Sequence, residues 1–429
     1  MPSLTAQQAL PLQLEAFSPY IARSIEADGE LSRYLGNGNG GATKVSLRSF
    51  RARLLTAHAG AVAQFDLDNG SMPMGDGDTW DQFLLSPIAW TKPIQYSQLA
   101  QLVGEGEDVA TNNSVTETIQ GVIEQVQMYR DMFLQTPGDG SLGSVDSLNG
   151  ANFINLRSTI TTTIDGRGAH LVKAQQKVQI MSNAAGGYVL RGSCTIQNVF
   201  PSLGSTQQIQ VDAIPNGVIA GDLVIVDGAA PGAPQFINGI PFFVNTSTVG
   251  NVYGISRALP YAVANGLNLA NNAQVTKPVF IVAENQIKQR LGKKGLKNQF
   301  YHTHPSQLQA LAELAFTDTI VPLNGGKAAA YDPIFREFTI NGRMVMENVH
   351  ADQTRWDLLL KEAWNTIKWG PGMFWFKNRS GQTVFQVMDP TTGGITVQEL
   401  MFYCVAEQWY VNNPMAQGGV QQAKVPQGN

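Results

Sequence analysis

Residues 114–133 read SVTETIQGVIEQVQMYRDMF, and this stretch carries the strongest helical pattern in the chain. Its apolar residues recur at steps of three and four, at Val115, Ile119, Val122, Val126, Tyr129 and Phe133. Ser114 and Glu117 match the capping box that opens many helices, and the Thr-Pro-Gly at 136–138 provides a stop. The pattern predicts a helix over 115–135, which is a rod of ~30 Å.

Two strand-like runs precede this helix, at 44–56 and 82–96. The second run contains two prolines, which suits an edge strand. The loop between the runs is rich in Gly, Asp and Met, and a compact domain seldom keeps so long a connection without a use for it. The runs predict a protruding hairpin over 44–97, preceded by an N-terminal arm over 1–43.

The pattern becomes β-rich after the helix. Alternating and β-branched residues dominate at 160–164, 208–214 and 222–226, and Gly and Pro separate these runs. This spacing predicts a small barrel or sandwich inserted over 149–263.

The last third of the chain mixes both patterns. We predict a helix at 277–291, a strand at 298–302, a helix opened by Pro305, a helix at 352–367, strands at 382–388 and 397–411, and a Gln/Gly-rich tail from Pro414. The helix at 352–367 rests on the spacing of Trp356, Leu359, Leu360, Ala363, Trp364 and Ile367. Helices and strands are segregated along the chain, so the predicted fold class is α+β.

Charged residues are scarce. Asp, Glu, Lys and Arg make up 14% of the 429 residues, against ~25% in a typical soluble domain. Much of the surface must therefore be uncharged or covered by partner subunits, which favours a self-assembling protein over a freely diffusing enzyme. The net charge of −4 argues against a protein that binds nucleic acid through overall positive charge.

The sequence shows no export or membrane signal. It opens without a basic and apolar leader, and no apolar run approaches the ~18 residues of a membrane span. Its two cysteines, Cys194 and Cys404, do not form a disulfide framework. We expect synthesis in a host cytoplasm and no membrane partner.

Two phosphate-binding motifs are matched only in part. Residues 36–41 fit G-x-G-x-x-G, but that motif needs a strand before it and a helix after it, and here the order is reversed. Residues 324–327 lack the first Gly and the Ser or Thr of a P-loop. We expect a flexible linker at 36–41, reject a P-loop at 324–327, and expect no cofactor.

Metal-binding and catalytic patterns are equally weak. His302 and His304 lack a third ligand nearby, and the second of them sits at a helix start, where a cap is expected. The acidic residues of the hairpin loop, Asp66, Asp68, Asp76 and Asp78, do not follow EF-hand spacing. G-x-S-x-G, H-E-x-x-H and C-x-x-C do not occur. No catalytic or metal site is predicted, and we expect the protein not to be an enzyme.

Two groups of residues are candidates for contacts. A basic cluster contains Lys288, Arg290, Lys293, Lys294 and Lys297. It could face DNA phosphates or an acidic partner, but a basic last helical turn followed by Gly292 as C-cap is the simpler explanation. In the hairpin, Phe65, Met72, Met74 and Trp80 could form an adaptable contact with another subunit or pack within the loop.

The order of these parts resembles the major capsid protein of tailed bacteriophages, the Hong Kong 97 fold. Similar local sequences are AGDLVIVDG at 220–228, NGI at 238–240 leading to YGISR at 253–257, YHTHP at 301–305, and ELMFYCVAEQWYVNNP at 399–414. The resemblance implies an N-arm over 1–43, an E-loop hairpin over 44–97 and a P domain over 98–148 with a spine helix at 115–135. It further implies a β-rich P-domain segment and insertion over 149–263, an A domain over 264–375, returning P-domain strands over 376–413 and a tail over 414–429.

The resemblance also implies a function. Identical subunits would form hexamers and pentamers of an icosahedral head shell around double-stranded DNA, which the shell would bind without sequence specificity. Separate scaffolding, portal and decoration proteins are the expected partners, and the virion capsid is the expected location.

Other functions remain open. A bacterial encapsulin-type nanocompartment has the same fold and encloses an enzyme instead of a genome. A β-rich glycan-binding phage structural protein is suggested by 149–263 alone, although it leaves the long helix unexplained.

Overall fold

The computed structural model describes residues 30–35, 41–46, 49–57, 77–97, 108–159, 168–183, 187–200, 207–232, 234–247, 249–258, 264–271, 273–292, 298–309, 311, 339–388 and 395–423. They belong to two compact units. The first unit is drawn from Met1–Gly36, Pro87–Asp131 and Thr366–Gln408, and the second from Asn37–Ser86, Met132–Asn365 and Trp409–Asn429.

The labelled helices are α1 (Glu30–Leu35), α2 (Asp108–Phe133), α3 (Ile240–Phe243) and α4 (Lys277–Leu291), with further helical residues at 305–309. The strands are β1 (Thr43–Lys44), β2 (Phe50–Ala57), β3 (Thr79–Leu85), β4 (Ile88–Ser97), β5 (Ser141–Asn149), β6 (Phe153–Arg157), β7 (Lys177–Met181), β8 (Leu190–Phe200), β9 (Gln207–Val211), β10 (Leu223–Val226), β11 (Asn251–Val252), β12 (Ile255–Ser256), β13 (Leu267–Ala270), β14 (Gln299–Thr303), β15 (Thr339–Ile340), β16 (Arg343–Glu347), β17 (Trp356–Leu360), β18 (Trp364–Trp375), β19 (Val384–Met388), β20 (Ile395–Val411) and β21 (Gly418–Gln421).

A helix packed on a sheet forms the core of the first unit. The long strand β20 pairs with β18 and β19, and it pairs antiparallel with β4. Helix α2 covers one face of this sheet, and the core contains Ile94, Val122, Ile123, Val126, Met373, Trp375, Met401, Tyr403 and Val405. Alternate residues of β20 point to this core, as expected for a strand. The predicted strands at 382–388 and 397–411 are confirmed as β19 and β20.

The long helix is confirmed, but its predicted start is wrong. Helix α2 begins at Asp108, so Ser114 lies inside the helix and does not cap it. A four-residue motif such as the capping box does not report whether the chain upstream is already helical.

Part of the segment predicted to be an arm is packed. In α1, Leu31 and Leu35 are buried, and the carboxylate of Asp131 in α2 accepts a hydrogen bond from the Ser32 backbone N–H at 3.2 Å. Residues 30–35 therefore contribute to the first unit.

The β-rich region contains a closed antiparallel barrel in the second unit. Its strands follow the order β10-β5-β6-β9-β8-β7. Its buried side chains include Val145, Ile154, Leu156, Val178, Ile180, Ile196, Ile209 and Val224. The barrel runs from Ser141 to Val226, so it begins earlier and ends earlier than the region predicted at 149–263. The strand predicted at 160–164 lies outside the described residues.

A six-stranded mixed sheet forms the other large part of the second unit, in the order β13-β21-β17-β14-β16-β15. Helix α4 packs on it through Phe280, Ala283 and Ile287. The predicted bounds of α4 at 277–291 are confirmed, and the strand predicted at 298–302 is observed one residue later as β14. The helix opened by Pro305 is confirmed at 305–309.

The helix predicted at 352–367 is wrong. The chain instead forms β17, a short 3-10 turn at Lys361–Ala363, and β18. Strand β17 lies inside the sheet and pairs with both β14 and β21, so its backbone hydrogen bonds are satisfied on two sides. Apolar runs of this length fit a buried strand as well as a helix, and the strand partners decide the outcome.

The tail predicted from Pro414 is also wrong for the residues up to 423. Strand β21 inserts between β13 and β17. The buried Gln417 supports this arrangement, because its side-chain oxygen accepts hydrogen bonds from the Leu360 backbone N–H and the Trp364 indole N–H, both at 3.1 Å. Residues 424–429 lie outside the described part.

Among the helices of the described residues, none combines the length and the apolar character that a membrane crossing requires.

Candidate functional site

The predicted hairpin is confirmed only in part, as strands β2 and β3. The second strand predicted at 82–96 is divided, because its later part forms β4 and pairs with β20 instead of β2. Strands β2 and β3 pair antiparallel from Phe50 opposite Leu85 to Ala57 opposite Thr79. The ribbon has two different faces, since strand side chains alternate. Its inner face is apolar and buried, and contains Phe50, Ala52, Leu54, Phe83 and Leu85.

The other side of the ribbon, called here the outer face, consists of Arg51, Arg53, Leu55, Trp80, Gln82 and Leu84. Trp80 is 60% exposed and Leu84 is 56% exposed. Large apolar side chains grouped on one solvent-facing ribbon are typical of a contact surface. Of the four predicted hairpin contact residues, Phe65, Met72 and Met74 lie outside the described residues.

Strand β3 of the hairpin contacts Tyr253 in the rest of the second unit. The Leu84 backbone N–H donates to the Tyr253 carbonyl at 2.9 Å, and the rings of Phe83 and Tyr253 meet edge to face at 5.7 Å. The Tyr253 hydroxyl donates in turn to the Trp409 carbonyl. Burial raises the pKa of Tyr253, so its hydroxyl stays protonated and keeps this bond. The outer face is thus presented from a rigid base.

A second apolar surface lies on the first unit, on the face of the sheet opposite α2. Phe376, Phe385 and Phe402 form this aromatic face. The rings of Phe376 and Phe385 stack at 5.7 Å, and those of Phe385 and Phe402 meet edge to face at 5.6 Å. Phe376 is 46% exposed, and the other two are half-buried.

The aromatic face was not predicted from the sequence, although a signal was present. Residues 400–406 read LMFYCVA, an unbroken apolar run without the polar alternation of a one-sided strand. Such a run is typical of a strand that is apolar on both faces. Here one face packs under α2 and the other carries Phe402.

The basic cluster is described only at Lys288 and Arg290, which lie in the last turn of α4. The C-cap prediction is confirmed, because Gly292 has a φ of 68° and its N–H donates to the Lys288 carbonyl at 2.8 Å. The Lys288 ammonium lies 3.7 Å from a Glu284 carboxylate oxygen. Lys293, Lys294 and Lys297 lie outside the described residues.

Glu284 is the centre of a buried polar network. Its carboxylate accepts hydrogen bonds from the Tyr301 hydroxyl at 2.8 Å, from the Asn341 amide at 3.2 Å and from Arg343. Burial acts to raise the pKa of Glu284, but these hydrogen bonds outweigh it and the pKa is lowered. The charge of Lys288 is therefore partly balanced within the chain.

His302 and His304 have different structural roles, one inside the sheet and one at the start of a helix. His302 is fully buried in β14, with Nδ1 3.6 Å from an Asp357 carboxylate oxygen. The Ser306 backbone N–H donates to His304 Nδ1 at 3.1 Å, so His304 holds the start of the helix at 305–309, as expected of a cap. Within the described part of the chain, no group of three or more His, Cys, Asp or Glu side chains could hold a metal ion. Of the hairpin acids, Asp78 is exposed and Asp66, Asp68 and Asp76 lie outside the described residues.

Comparison with known proteins gives no sequence relative, since no protein-family model and no curated protein matches the chain. Among solved structures, a chain of the cyanophage A-1(L) capsid asymmetric unit matches with a TM-score of 0.51 and 10% identity. The match covers 91% of this chain and 92% of the other. The chain has the fold of a phage capsid protein.

Two further matches have lower scores. A chain of Gordonia phage Cozz has a TM-score of 0.42 and 11% identity over 91% of this chain and 86% of that one. A chain from the capsid of the native GTA particle has a TM-score of 0.43 and 10% identity over 91% and 89%. The 10% identity with the cyanophage chain gives no residue-by-residue correspondence, so the role of each surface rests on this chain's own geometry.

Proposed function

We propose that this chain is a major capsid protein of a tailed phage. Copies would assemble into the hexamers and pentamers of an icosahedral head shell that encloses double-stranded DNA. The observation that carries this proposal is the shared fold with the cyanophage capsid chain over more than nine-tenths of both chains.

The proposal assigns the described elements to the parts of the Hong Kong 97 layout. Helix α2 is the proposed spine helix, and with β4 and β18–β20 it forms the P domain. Strands β2 and β3 form the base of the E-loop hairpin. The barrel at 141–226 is the β-rich insertion, and the mixed sheet with α4 is the A domain. This layout moves the insertion from the predicted 149–263 and brings β21 into the A domain.

The two exposed apolar surfaces support assembly. The outer face of the hairpin and the aromatic face each present large apolar side chains to solvent, and patches of this kind mark protein–protein contacts. In a shell, neighbouring copies would bury both. The hairpin would then reach over an adjacent subunit, and each copy would gain interface area without a larger globular body.

The charge content supports the same conclusion. With 14% charged residues and a net charge of −4, identical copies repel one another only weakly when packed together. In this proposal the protein is structural and not an enzyme. Its scaffolding, portal and decoration partners and its contact with packaged DNA remain predictions.

Assembly of the purified chain tests the proposal directly. We expect negative-stain electron microscopy and sedimentation velocity of the expressed full chain to show closed shells or capsomer rings, with or without a co-expressed scaffolding protein from the neighbouring gene. A monomer under both conditions would contradict the proposal. Nuclease-protected DNA in native particles would identify a phage head, whereas a protein cargo would identify a nanocompartment.

A further inference from the structure

Four neighbouring strands of the barrel present an uncharged surface to solvent, called here the amide face. Strands β5, β6, β9 and β8 lie side by side, and alternate side chains point away from the buried barrel interior. Eight of these side chains form two rows across the strands, and all are exposed or half-buried. They are Asn149, Phe153, Gln210 and Asn198 in one row and Ser147, Asn155, Gln208 and Phe200 in the other.

Hydrogen bonds between side chains hold the amide groups of this face in place. The Asn155 amide donates to the Ser147 hydroxyl at 2.8 Å, and its carbonyl oxygen accepts from the Gln208 amide at 3.1 Å. In the other row, the Asn198 amide donates to the Gln210 side-chain oxygen at 2.8 Å. Side chains that are already ordered lose less conformational entropy when a ligand binds.

The amides keep hydrogen-bonding capacity for a ligand. A side-chain amide has two N–H donors and an oxygen with two lone pairs. Asn155 uses one donor and one lone pair within the face, and Asn198, Gln208 and Gln210 each use a single donor or lone pair. Each of the four therefore offers at least one donor and one acceptor. A sugar hydroxyl both donates and accepts, so it matches such a group.

Two phenylalanine rings add an apolar contact to the amide face. Phe153 and Phe200 stand on either side of β9, and their ring centroids are 6.2 Å apart with 45° between the ring planes. Phe200 is 43% exposed although it lies in a regular strand, and Phe153 is half-buried. The face of an aromatic ring carries negative charge density, which attracts the C–H groups on the apolar side of a sugar ring.

The charge of the amide face decides between ligands that stack on aromatic rings. Single-stranded nucleic acids also stack on barrel aromatics, but their sites have a positively charged groove for the phosphates. None of the eight residues is charged. At the border, Arg157 is paired with Asp146 at 3.9 Å, and Asp212 accepts from the backbone N–H groups of Thr195 and Ala213, both at 2.8 Å. An uncharged ligand fits this surface better than a phosphate backbone does.

We propose that the amide face binds a neutral carbohydrate. The rings of Phe153 and Phe200 pack against the C–H side of the sugar units, and the amides of Asn155, Gln208 and Gln210 hydrogen-bond the sugar hydroxyl groups. This carbohydrate site goes beyond the shell function and does not depend on it.

A glycan array probed with the labelled full chain tests the proposal. The array carries neutral gluco-, manno- and galacto-oligosaccharides, with sulfated and sialylated glycans and single-stranded DNA for comparison. We expect binding to at least one neutral series. Binding to none of the neutral glycans, or only to the anionic probes, would overturn the proposal.

Calorimetric titration with the neutral oligosaccharide that binds most strongly on the array measures the role of the rings. Phe200→Ala should weaken binding about tenfold, because a packed aromatic contact is lost. Phe200→Tyr keeps the ring and should stay within about threefold of the parent. The matched control is Ile219→Ala, since Ile219 is a 57% exposed apolar side chain outside the amide face and its loss should leave affinity unchanged. Equal affinity in Phe200→Ala and the parent would contradict the proposal.

Gln208→Ala tests the amides while both rings are kept. Losing one hydrogen bond to a sugar hydroxyl should weaken binding about fivefold. An affinity equal to that of the parent would contradict the contact between the amides and the carbohydrate. The thermal unfolding transition of each variant shows whether it is folded.

A second copy of the chain is the alternative occupant of the amide face. Loss of shell formation in Phe200→Ala, together with no binding of neutral glycans by the parent, would make the face a subunit contact and the proposal wrong. Loss of glycan binding in Phe200→Ala with normal shells would identify the carbohydrate site. Shell formation is measured separately by sedimentation, so failure of this site and failure of the proposed shell function are distinguishable.

Discussion

A buried ion pair joins Arg130 and Glu407 in the first unit. The guanidinium donates from Nε and Nη2 to the two carboxylate oxygens at 2.7 and 2.8 Å. The side chains are only 6% and 1% exposed. A two-point pair of this geometry joins helix α2 to the long strand β20, and removing one partner would leave a buried charge.

We predict that Glu407→Gln lowers the free energy of unfolding by about 3 kcal/mol, because the Arg130 charge remains buried without its counter-charge. Urea unfolding of the isolated chain measures this. The control is Asp146→Asn, which breaks the half-exposed pair with Arg157 at 3.9 Å and should cost less than about 1 kcal/mol. Similar losses in the two variants would contradict the assigned role of the buried pair.

The lowered pKa of His350 predicts that the free energy of unfolding depends on pH. Burial lowers its pKa in the folded chain to about 4, below the ordinary value of 6.5. The unfolded chain therefore takes up this proton more readily than the folded chain. The stabilisation is complete above pH 6.5 and is lost as the pH falls towards 4.

We expect His350→Gln to reduce the loss of unfolding free energy between about pH 7.5 and about pH 4.5, since the variant has no imidazole to protonate. Denaturant unfolding at these two pH values in chloride buffers, without phosphate, measures the effect. Parallel pH profiles for the parent and the variant would show that His350 does not titrate as described.

At the scale of elements, β21 shows how a glycine-rich end completes a sheet. Gly419 lies between β13 and β17, opposite Asp357 of β17. A side-chain carbon placed on Gly419 would lie 2.9 Å from the Trp356 carbonyl oxygen and 3.1 Å from an Asp357 carboxylate oxygen. The sheet can close here because the residue has no side chain.

We predict that Gly419→Ala destabilises the chain by about 1–3 kcal/mol, because the backbone of β17 cannot move away from the added methyl group. The urea midpoint reports the change. Gly77→Ala is the control, since a carbon added at Gly77 meets nothing within 4 Å. If Gly419→Ala were as stable as Gly77→Ala, β21 would not pack as described.

At the scale of the whole molecule, the exposed apolar surfaces predict how assembly fails. The aromatic face contributes little to the folding of a single chain, because Phe376 is 46% exposed. It would contribute much more to a contact between copies, where it becomes buried.

We predict that Phe376→Asp leaves a folded chain whose unfolding free energy changes by less than about 1 kcal/mol, and which no longer forms shells. Sedimentation velocity and electron microscopy measure assembly, and urea unfolding measures stability. The control is Val249→Asp, a charge placed on a side chain that is 81% exposed and outside both surfaces. Normal shells from Phe376→Asp would show that the aromatic face is not an assembly contact.

Much of the fold follows from local sequence patterns. The buried face of α2 at Val122 and Val126 and the bounds of α4 at 277–291 are both readable from periodicity. The reason is that helical hydrogen bonds and caps lie within four residues, so nearby sequence contains the whole signal. Trp80 was predicted as a contact residue together with Met72 and Met74, because apolar side chains in the hairpin suggest an adaptable surface. Its 60% exposure agrees with that prediction, and the contact itself stays a prediction.

Only the tertiary structure decided the rest. Residues 356–360 have a helical spacing but form strand β17, because β14 and β21 pair with its two edges. The Gly-rich segment at 418–421 forms strand β21, because it lies between β13 and β17. The ion pair of Arg130 with Glu407 and the ring stack of Phe376 with Phe385 depend in the same way on how elements pair. The sequence by itself determined which residues are apolar, charged or turn-forming. Hydrogen bonding and burial between distant segments decided which of them meet, because those energies exist only once the segments are packed together.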